Sequence, residues 1–398
     1  MSNDNSAFSR VRIPYGTWGT SYFPAWQTSP LAEVNIAQFA GEAMGRILSK
    51  RKVSKRHLDY LITGSTVPWH WKFWNSPLLS SCVGVRTPGA HVEQACSTGL
   101  QAIILAAAEV QCGGHNTVGV LTFDRTSDSS IGVFPERRTL QHTVAINDMW
   151  DNFGFDPSTG GSTLSTAGRT ARKYKLDRAE IDEISFCRYQ QYFEAKARNF
   201  LEKYAIPIDI LNTQGKVVGT LDADTGVRQH TLESLRAMKE LDTCVTTGGQ
   251  THPSDGMATL LVASTDKARE LSRRPEVEIR LIAKANVRTG ADLMPEAPTM
   301  AVQKLLKETG LKIEDMAVVK SHNPFTVNDA IFSKVMSYDW KKMNRTGSSL
   351  VWGHPQAATM TRIVIEALEE AVELGGGYAL VMACAAGDVG IAALFEVK

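Results

Sequence analysis

Short apolar runs at 60–62, 117–123 and 379–383 alternate with longer stretches of helical spacing, a pattern that predicts an α/β protein whose sheets are covered by helices. The order of elements repeats. From Asn35 the chain reads as a helix, a basic turn and an apolar strand at 58–62, then a small-residue turn, an Ala-rich helix, Gly113-Gly114 and a strand ending near Phe123. From Ala301 it reads as a helix through Leu306, a charged turn, a strand at 316–319 and a turn at Gly353-His354-Pro355. A helix from about Thr361, Gly375-Gly376-Gly377 and a strand running into Cys384 complete the second series. One order met twice points to two copies of a single α/β unit. Residues 125–245, with their Arg-, Trp- and Pro-rich stretches, interrupt the first copy and are too long for a connection, so they read as a functional insertion. The expected halves are 1–270, insertion included, and 271–398.

Composition narrows the class. The chain has 398 residues, 43% apolar and 21% charged, which is ordinary globular material with enough apolar residues for two cores. Lys plus Arg (43) balances Asp plus Glu (42), so no global field favours nucleic acid or an anionic membrane, and an anionic ligand must be held by local charges. The polar start of the chain lacks the order of a signal peptide, and no apolar run approaches the roughly 18 residues of a spanning helix. A cytoplasmic location follows as the default expectation. Six scattered cysteines without a CxxC pair encode neither a zinc knuckle nor a disulfide framework, so no metal is expected in this chain.

Cys96 lies in Glu93-Gln94-Ala95-Cys96-Ser97-Thr98-Gly99, directly before an apolar run at 100–110 that reads as a buried helix. A thiol at a helix N-terminus meets partial positive charge, which favours the thiolate, and small neighbours leave room for a ligand. A packing cysteine is the plain alternative. The repeat-related turn holds His354, and the strand after it ends at Cys384, in Cys384-Ala385-Ala386-Gly387-Asp388-Val389-Gly390. In a pseudo-twofold fold equivalent loops meet at the axis. A nucleophilic cysteine, a histidine to take its proton and a second thiol would then make a covalent acyl-transfer site with its own acid/base for carbon.

These residues resemble the thiolases, almost end to end. Residues 11–19 are similar to the opening Val-Arg-Thr-Pro-Phe-Gly segment, and Cys96-Ser97-Thr98-Gly99 to the nucleophile turn. Asp255-Gly256-Met257-Ala258 is similar to the Asn-Asp-Gly-Ala strand start, Gly353-His354-Pro355 to the Gly-His-Pro motif, and 384–390 to the Cys-x-Gly-Gly-Gly-x-Gly loop. The resemblance implies a thiolase fold of two pseudo-symmetric halves in five αβαβα layers, with coenzyme A and acyl-CoA as substrates and no metal or redox cofactor. It implies that Cys96, activated by His354, carries the acyl group while Cys384 moves the proton at the α-carbon. It also implies two oxyanion sites, one from the backbone N–H groups of Cys96 and Ala386, the other involving His354 and position 322.

The departures bear on substrate. His322-Asn323-Pro324-Phe325 stands where many thiolases have Asn-Glu-Ala-Phe, so His322 replaces an asparagine donor beside Phe325. His252, in Gln250-Thr251-His252, is either a contact to the acyl group or a loop histidine. Arg137, Arg138, Trp150 and Phe153 fall in the insertion that caps the CoA site in thiolases, where arginines pair with phosphates and an aromatic stacks on adenine. The segment Trp69-His70-Trp71-Lys72-Phe73-Trp74 is expected near a subunit contact and the pocket; it fills an interface or, if it lines the pocket, points to a bulky or aromatic acyl group. The His-Asn-Pro-Phe form resembles thiolases that work with a small zinc-finger/OB-type subunit, among them the enzyme acting on benzoylsuccinyl-CoA in aromatic compound degradation. A homodimer or higher oligomer is expected. Two other readings stay open: a thiolase-like condensing synthase, against which Cys384 argues, and an inactive scaffold subunit.

Overall fold

In the computed structural model, which describes residues 7–127, 129–136, 143–212 and 214–398, the apolar strands build two separate mixed sheets. The first sheet runs in the order Val11–Arg12, Gly256–Ser264, Thr117–Asp124, Tyr60–Gly64, Gly89–Val92, and Gly19–Thr20 also pairs with Gly256–Ser264. The second runs Ile279–Arg288, Val389–Val397, Gly377–Ala385, Met316–Ser321. The first four strands of the first sheet's order match the four of the second sheet, and Gly89–Val92 and Gly19–Thr20 are additional. Tyr60–Gly64 is parallel to Thr117–Asp124 as Met316–Ser321 is to Gly377–Ala385, and the next two pairings are antiparallel in both sheets.

Successive strand residues point to opposite faces, and both faces of each sheet are covered, which is why the strands read as unbroken apolar runs. Val118 and Val120 point inward and share one core with Val318 and Val381 of the second sheet and with the helices Thr98–Gln111 and Gln356–Glu373. Leu121 points outward, against the helix Ile36–Lys50, and Leu380 and Met382 point outward against Ala297–Thr309. The layers are therefore helix, sheet, two central helices, sheet, helix. The central helices touch closely because Gly99 has no side chain: a Cβ there would lie 2.6 Å from the backbone nitrogen of Thr361.

The helix Gln356–Glu373 buries charges, and each has a partner. Arg362 donates to both oxygens of Asp224 (2.9 and 2.8 Å) and to Glu366 (3.1 Å), while Lys320 of the second sheet reaches Glu366 at 3.2 Å. Asp224 comes from the insertion, so this network ties the insertion to the central layer. The insertion itself contains the hairpin Ile131–Glu136/Thr143–Asp148, the helices Thr163–Tyr174 and Arg178–Ala197, and the hairpin Ile208–Leu211/Val217–Leu221. Ser162 and Asp177 cap the two helices by accepting backbone N–H bonds. No helix among the described residues is long and apolar enough to cross a membrane.

Candidate active site

The edge strand Gly89–Val92 leads into the short turn Ala95–Ser97, from which the helix Thr98–Gln111 starts. Ala95 is held at φ 43°, a left-handed conformation that costs on the order of 1–3 kcal/mol in a non-glycine residue. Local hydroxyl bonds hold it there: Thr98 Oγ1 donates to the Ala95 carbonyl (2.7 Å) and accepts the Gln94 N–H (2.8 Å). The turn sets Cys96 at the head of the central helix.

The matching turn of the second half brings His354. Gly353 sits at φ 100°, and a Cβ on it would strike Ser254 Oγ at 2.0 Å, so only glycine allows the chain to pass. His354 Nε2 lies 3.1 Å from Cys96 Sγ, across 258 residues of sequence. Its Nδ1 lies 2.7 Å from Thr359 Oγ1, and that hydroxyl donates to the Pro355 carbonyl at 3.2 Å. A hydroxyl has one proton, so with it directed to Pro355 the oxygen accepts Nδ1–H, and the Nε2 lone pair faces the thiol.

His322 packs against His354 with ring centroids 4.2 Å apart. Its Nδ1 contacts Ser349 Oγ at 2.8 Å, and its buried Nε2 has no hydrogen-bond partner among the described residues. Cys384 is fully buried at the end of Gly377–Ala385, where the Asn328 amide donates to its sulfur at 3.4 Å.

Burial governs the electrostatics. It pushes the Cys96 thiol up to about 12, against the opposing pull of the backbone N–H groups of Cys96 and Ala386, which both act on the sulfur. His354 is held down at about 3, first by burial and then by His252. His322 is driven well below its ordinary range by burial and then by His354, and Cys384 is raised by burial and then by Cys96. The helix end favours charge on the sulfur, but burial opposes it more strongly and, acting on both partners, favours a neutral thiol beside a neutral imidazole.

A cavity of about 490 Å³ opens onto the pair and is lined by Cys96, His354 and Ala386 together with Trp150, Phe153 and Phe325. The Trp150 and Phe153 rings lie 5.7 Å apart on one wall. Glu93 is the one charged side chain of the lining among the described residues, and it pairs with Lys72. His252 is not part of the lining; it packs behind His354, accepting its backbone N–H at 3.0 Å. Arg137 and Arg138 lie outside the described residues. Of the two readings of the aromatic segment, the pocket wall is the one the lining does not support. Trp69 is buried against Phe123, whereas Trp71, Phe73 and Trp74 are 56%, 90% and 61% exposed and none of them lines the cavity.

Three further polar residues were not picked out in the sequence: Thr359, Asn328 and Ser349. Each lies in the first turn of a helix, three to six residues after a motif residue or four before one, where its side chain can reach back.

The thiolase N-terminal domain profile matches residues 23–266 and the thiolase C-terminal domain profile matches residues 274–397. The chain belongs to the thiolase family. It is 24% identical over 406 residues to beta-ketothiolase BktB of Cupriavidus necator, covering 100% of both chains. It is 24% identical over 404 residues to human mitochondrial 3-ketoacyl-CoA thiolase, covering 97% of this chain and 96% of that one. The crystal structure of human mitochondrial 3-ketoacyl-CoA thiolase superimposes with a TM-score of 0.88 at 23% identity, over 98% of this chain and 100% of that one. As a thiolase, this chain is an acyltransferase of the acetyl-CoA acyltransferase type, with CoA and acyl-CoA as substrates.

Proposed function

We propose that the protein thiolyses a 3-oxoacyl-CoA, or runs the reverse Claisen condensation, through an acyl-Cys96 intermediate. The observation that carries this is the 3.1 Å approach of His354 Nε2 to Cys96 Sγ, with Nδ1 tied to Thr359. As sulfur attacks the 3-oxo carbon, its proton passes to Nε2 and the carbonyl oxygen takes negative charge facing the N–H groups of Cys96 and Ala386. The carbon–carbon bond then breaks. The electron pair leaves on the α-carbon of the departing acyl-CoA (acetyl-CoA from an unsubstituted 3-oxoacyl-CoA, succinyl-CoA from benzoylsuccinyl-CoA), Cys384 supplies the proton there, and His322 with His354 faces the thioester oxygen. The CoA thiol then takes the acyl group from Cys96 and restores the enzyme.

The apolar lining supports a bulky, uncharged acyl group, with Trp150, Phe153 and Phe325 as aromatic walls. Benzoylsuccinyl-CoA is the specific aromatic candidate; its ring suits this lining, while its free carboxylate has no cationic partner among the described lining residues. The reading includes a homodimer or higher oligomer, supported by exposed Trp71, Phe73 and Trp74 beside the edge strand Gly89–Val92, and a small zinc-finger/OB-type partner subunit.

The deciding experiment is acylation and turnover of two variants. Cys96→Ser is expected to abolish acyl-enzyme formation seen by mass spectrometry. Cys384→Ser is expected to keep acylation from acyl-CoA and to slow the carbon–carbon step by at least about 100-fold, the usual scale of acid/base catalysis. Full condensation by Cys384→Ser would remove its role. Thiolysis of aliphatic, uncharged aromatic and benzoylsuccinyl thioesters, with and without a candidate small subunit, ranks the acyl groups.

A further inference from the structure

Cys96 Sγ, His354 Nε2 and His322 Nε2 all lie within 4.8 Å of one another. His322 is 0% exposed, and its Nε2 points at no protein partner among the described residues. Both histidines are held from behind by hydroxyls. Thr359 holds Nδ1 of His354 at 2.7 Å, and Ser349 holds Nδ1 of His322 at 2.8 Å while directing its own proton to Asn323 Oδ1 at 3.2 Å. Asn323 is oriented in turn, because its amide nitrogen donates to the Asp329 carboxylate at 2.8 Å. An imidazole that donates Nδ1–H in this way presents a bare Nε2 lone pair, the arrangement met behind metal-bound histidines.

We propose that Cys96, His322 and His354 form a reversible zinc site whose occupation blocks acyl transfer. One bond forms from zinc to the Cys96 sulfur and one to each Nε2, the thiol proton leaves to the buffer, and a water in the cavity takes the fourth position. Zinc bonds of about 2.3 Å to sulfur and 2.0–2.1 Å to nitrogen set ligand–ligand edges of roughly 3.3–3.6 Å. The 3.1 Å contact of Cys96 with His354 needs to open only slightly, and His322 needs to approach by no more than about 1.5 Å. Two imidazoles and a thiolate select zinc over magnesium or calcium, and the cavity that opens on Cys96 and His354 provides the route in. An asparagine at position 322 would leave only two ligands of this kind. The blocking effect rests on the acyl-Cys96 reading, whereas the ion binding does not.

The test is titration of the metal-free, full-length protein with zinc chloride and, as a spectroscopic probe, cobalt chloride. One zinc per chain is expected, with loss of thiolysis that EDTA restores, and cobalt is expected to give a near-ultraviolet thiolate-to-metal band. The band should vanish in Cys96→Ser and in protein acylated at Cys96. Zinc affinity should fall at least about tenfold in His322→Asn, and roughly 10- to 100-fold in Ser349→Ala, which acts through the same histidine and serves if the first variant does not fold. Cobalt binding without a thiolate band, or zinc affinity unchanged in both variants, would overturn the site. A thiolate band in a protein that accepts no acyl group at Cys96 would leave the site standing and sink the acyl-transfer reading. Acylation without the band does the reverse.

Discussion

The neutral pairing of Cys96 and His354 decides when the proton moves. With the thiol raised to about 12 and the imidazole lowered to about 3, a standing ion pair is strongly disfavoured, so proton transfer accompanies carbon–sulfur bond formation. The imidazolium that then appears is stabilised by Thr359 Oγ1, which accepts Nδ1–H. Thr359→Val keeps the shape and removes that acceptor. Loss of about 1.5–3 kcal/mol in a charged hydrogen bond predicts a fall in kcat of roughly 10- to 100-fold with KM little changed, checked by steady-state thiolysis. The sequence made Cys96, His354 and Cys384 legible because short motifs in repeat register mark them. Their ionisation was not legible: a helix end is visible in seven residues, but enclosure by two sheets is a property of the folded chain. Thr359, Asn328 and Ser349 were hidden for the same reason, since a hydroxyl or amide in the first turn of a helix reads as an ordinary cap until the fold shows what it faces.

Among the elements, the helix Gln356–Glu373 combines catalytic placement with buried charge. Its N-terminus is fixed by Asp124, the last residue of Thr117–Asp124, whose carboxylate accepts the Ala357 N–H at 2.7 Å, and its middle is fixed by the Arg362–Asp224 pair. Arg362 also stacks on Trp352 and Phe23, so it cannot swing out to water. Asp224→Ala leaves a buried guanidinium with only Glu366, and a loss of about 3–5 kcal/mol in unfolding free energy is predicted from urea denaturation. Because Asp224 belongs to the insertion, the same variant should loosen the wall that carries Trp150 and Phe153. Helix and strand order could be read from apolar runs, and the strand order of both sheets repeats as the element order does. Which loops wall the cavity could not: the aromatic richness of 69–74 is equal evidence for a pocket or an outer face, and only packing of Trp69 on Phe123 decides that the rest points outward.

For the whole molecule, the enclosed histidines set the response to acid. His91 and His252 are held down at about 4 and His354 at about 3, each mainly by burial. The unfolded chain takes up these protons near pH 6.5 and the folded one does not, so their contribution to stability is whole above pH 6.5 and is lost as pH falls toward 4. His252→Asn removes one such group: between pH 7 and pH 5 it should lose about 2 kcal/mol less stability than the wild type, measured by urea unfolding at both pH values. Asp124, raised to about 6 by burial, works in the opposite direction in both proteins and cancels from the comparison. The separation of 258 positions from Cys96 to His354 also has a consequence in time. At about 5–20 residues per second, a ribosome that has made the nucleophile needs roughly 13–50 s more to make its base. Throughout that interval the thiol has no His354 to take its proton, so the growing chain is unarmed toward thioesters until the second half has been made and docked.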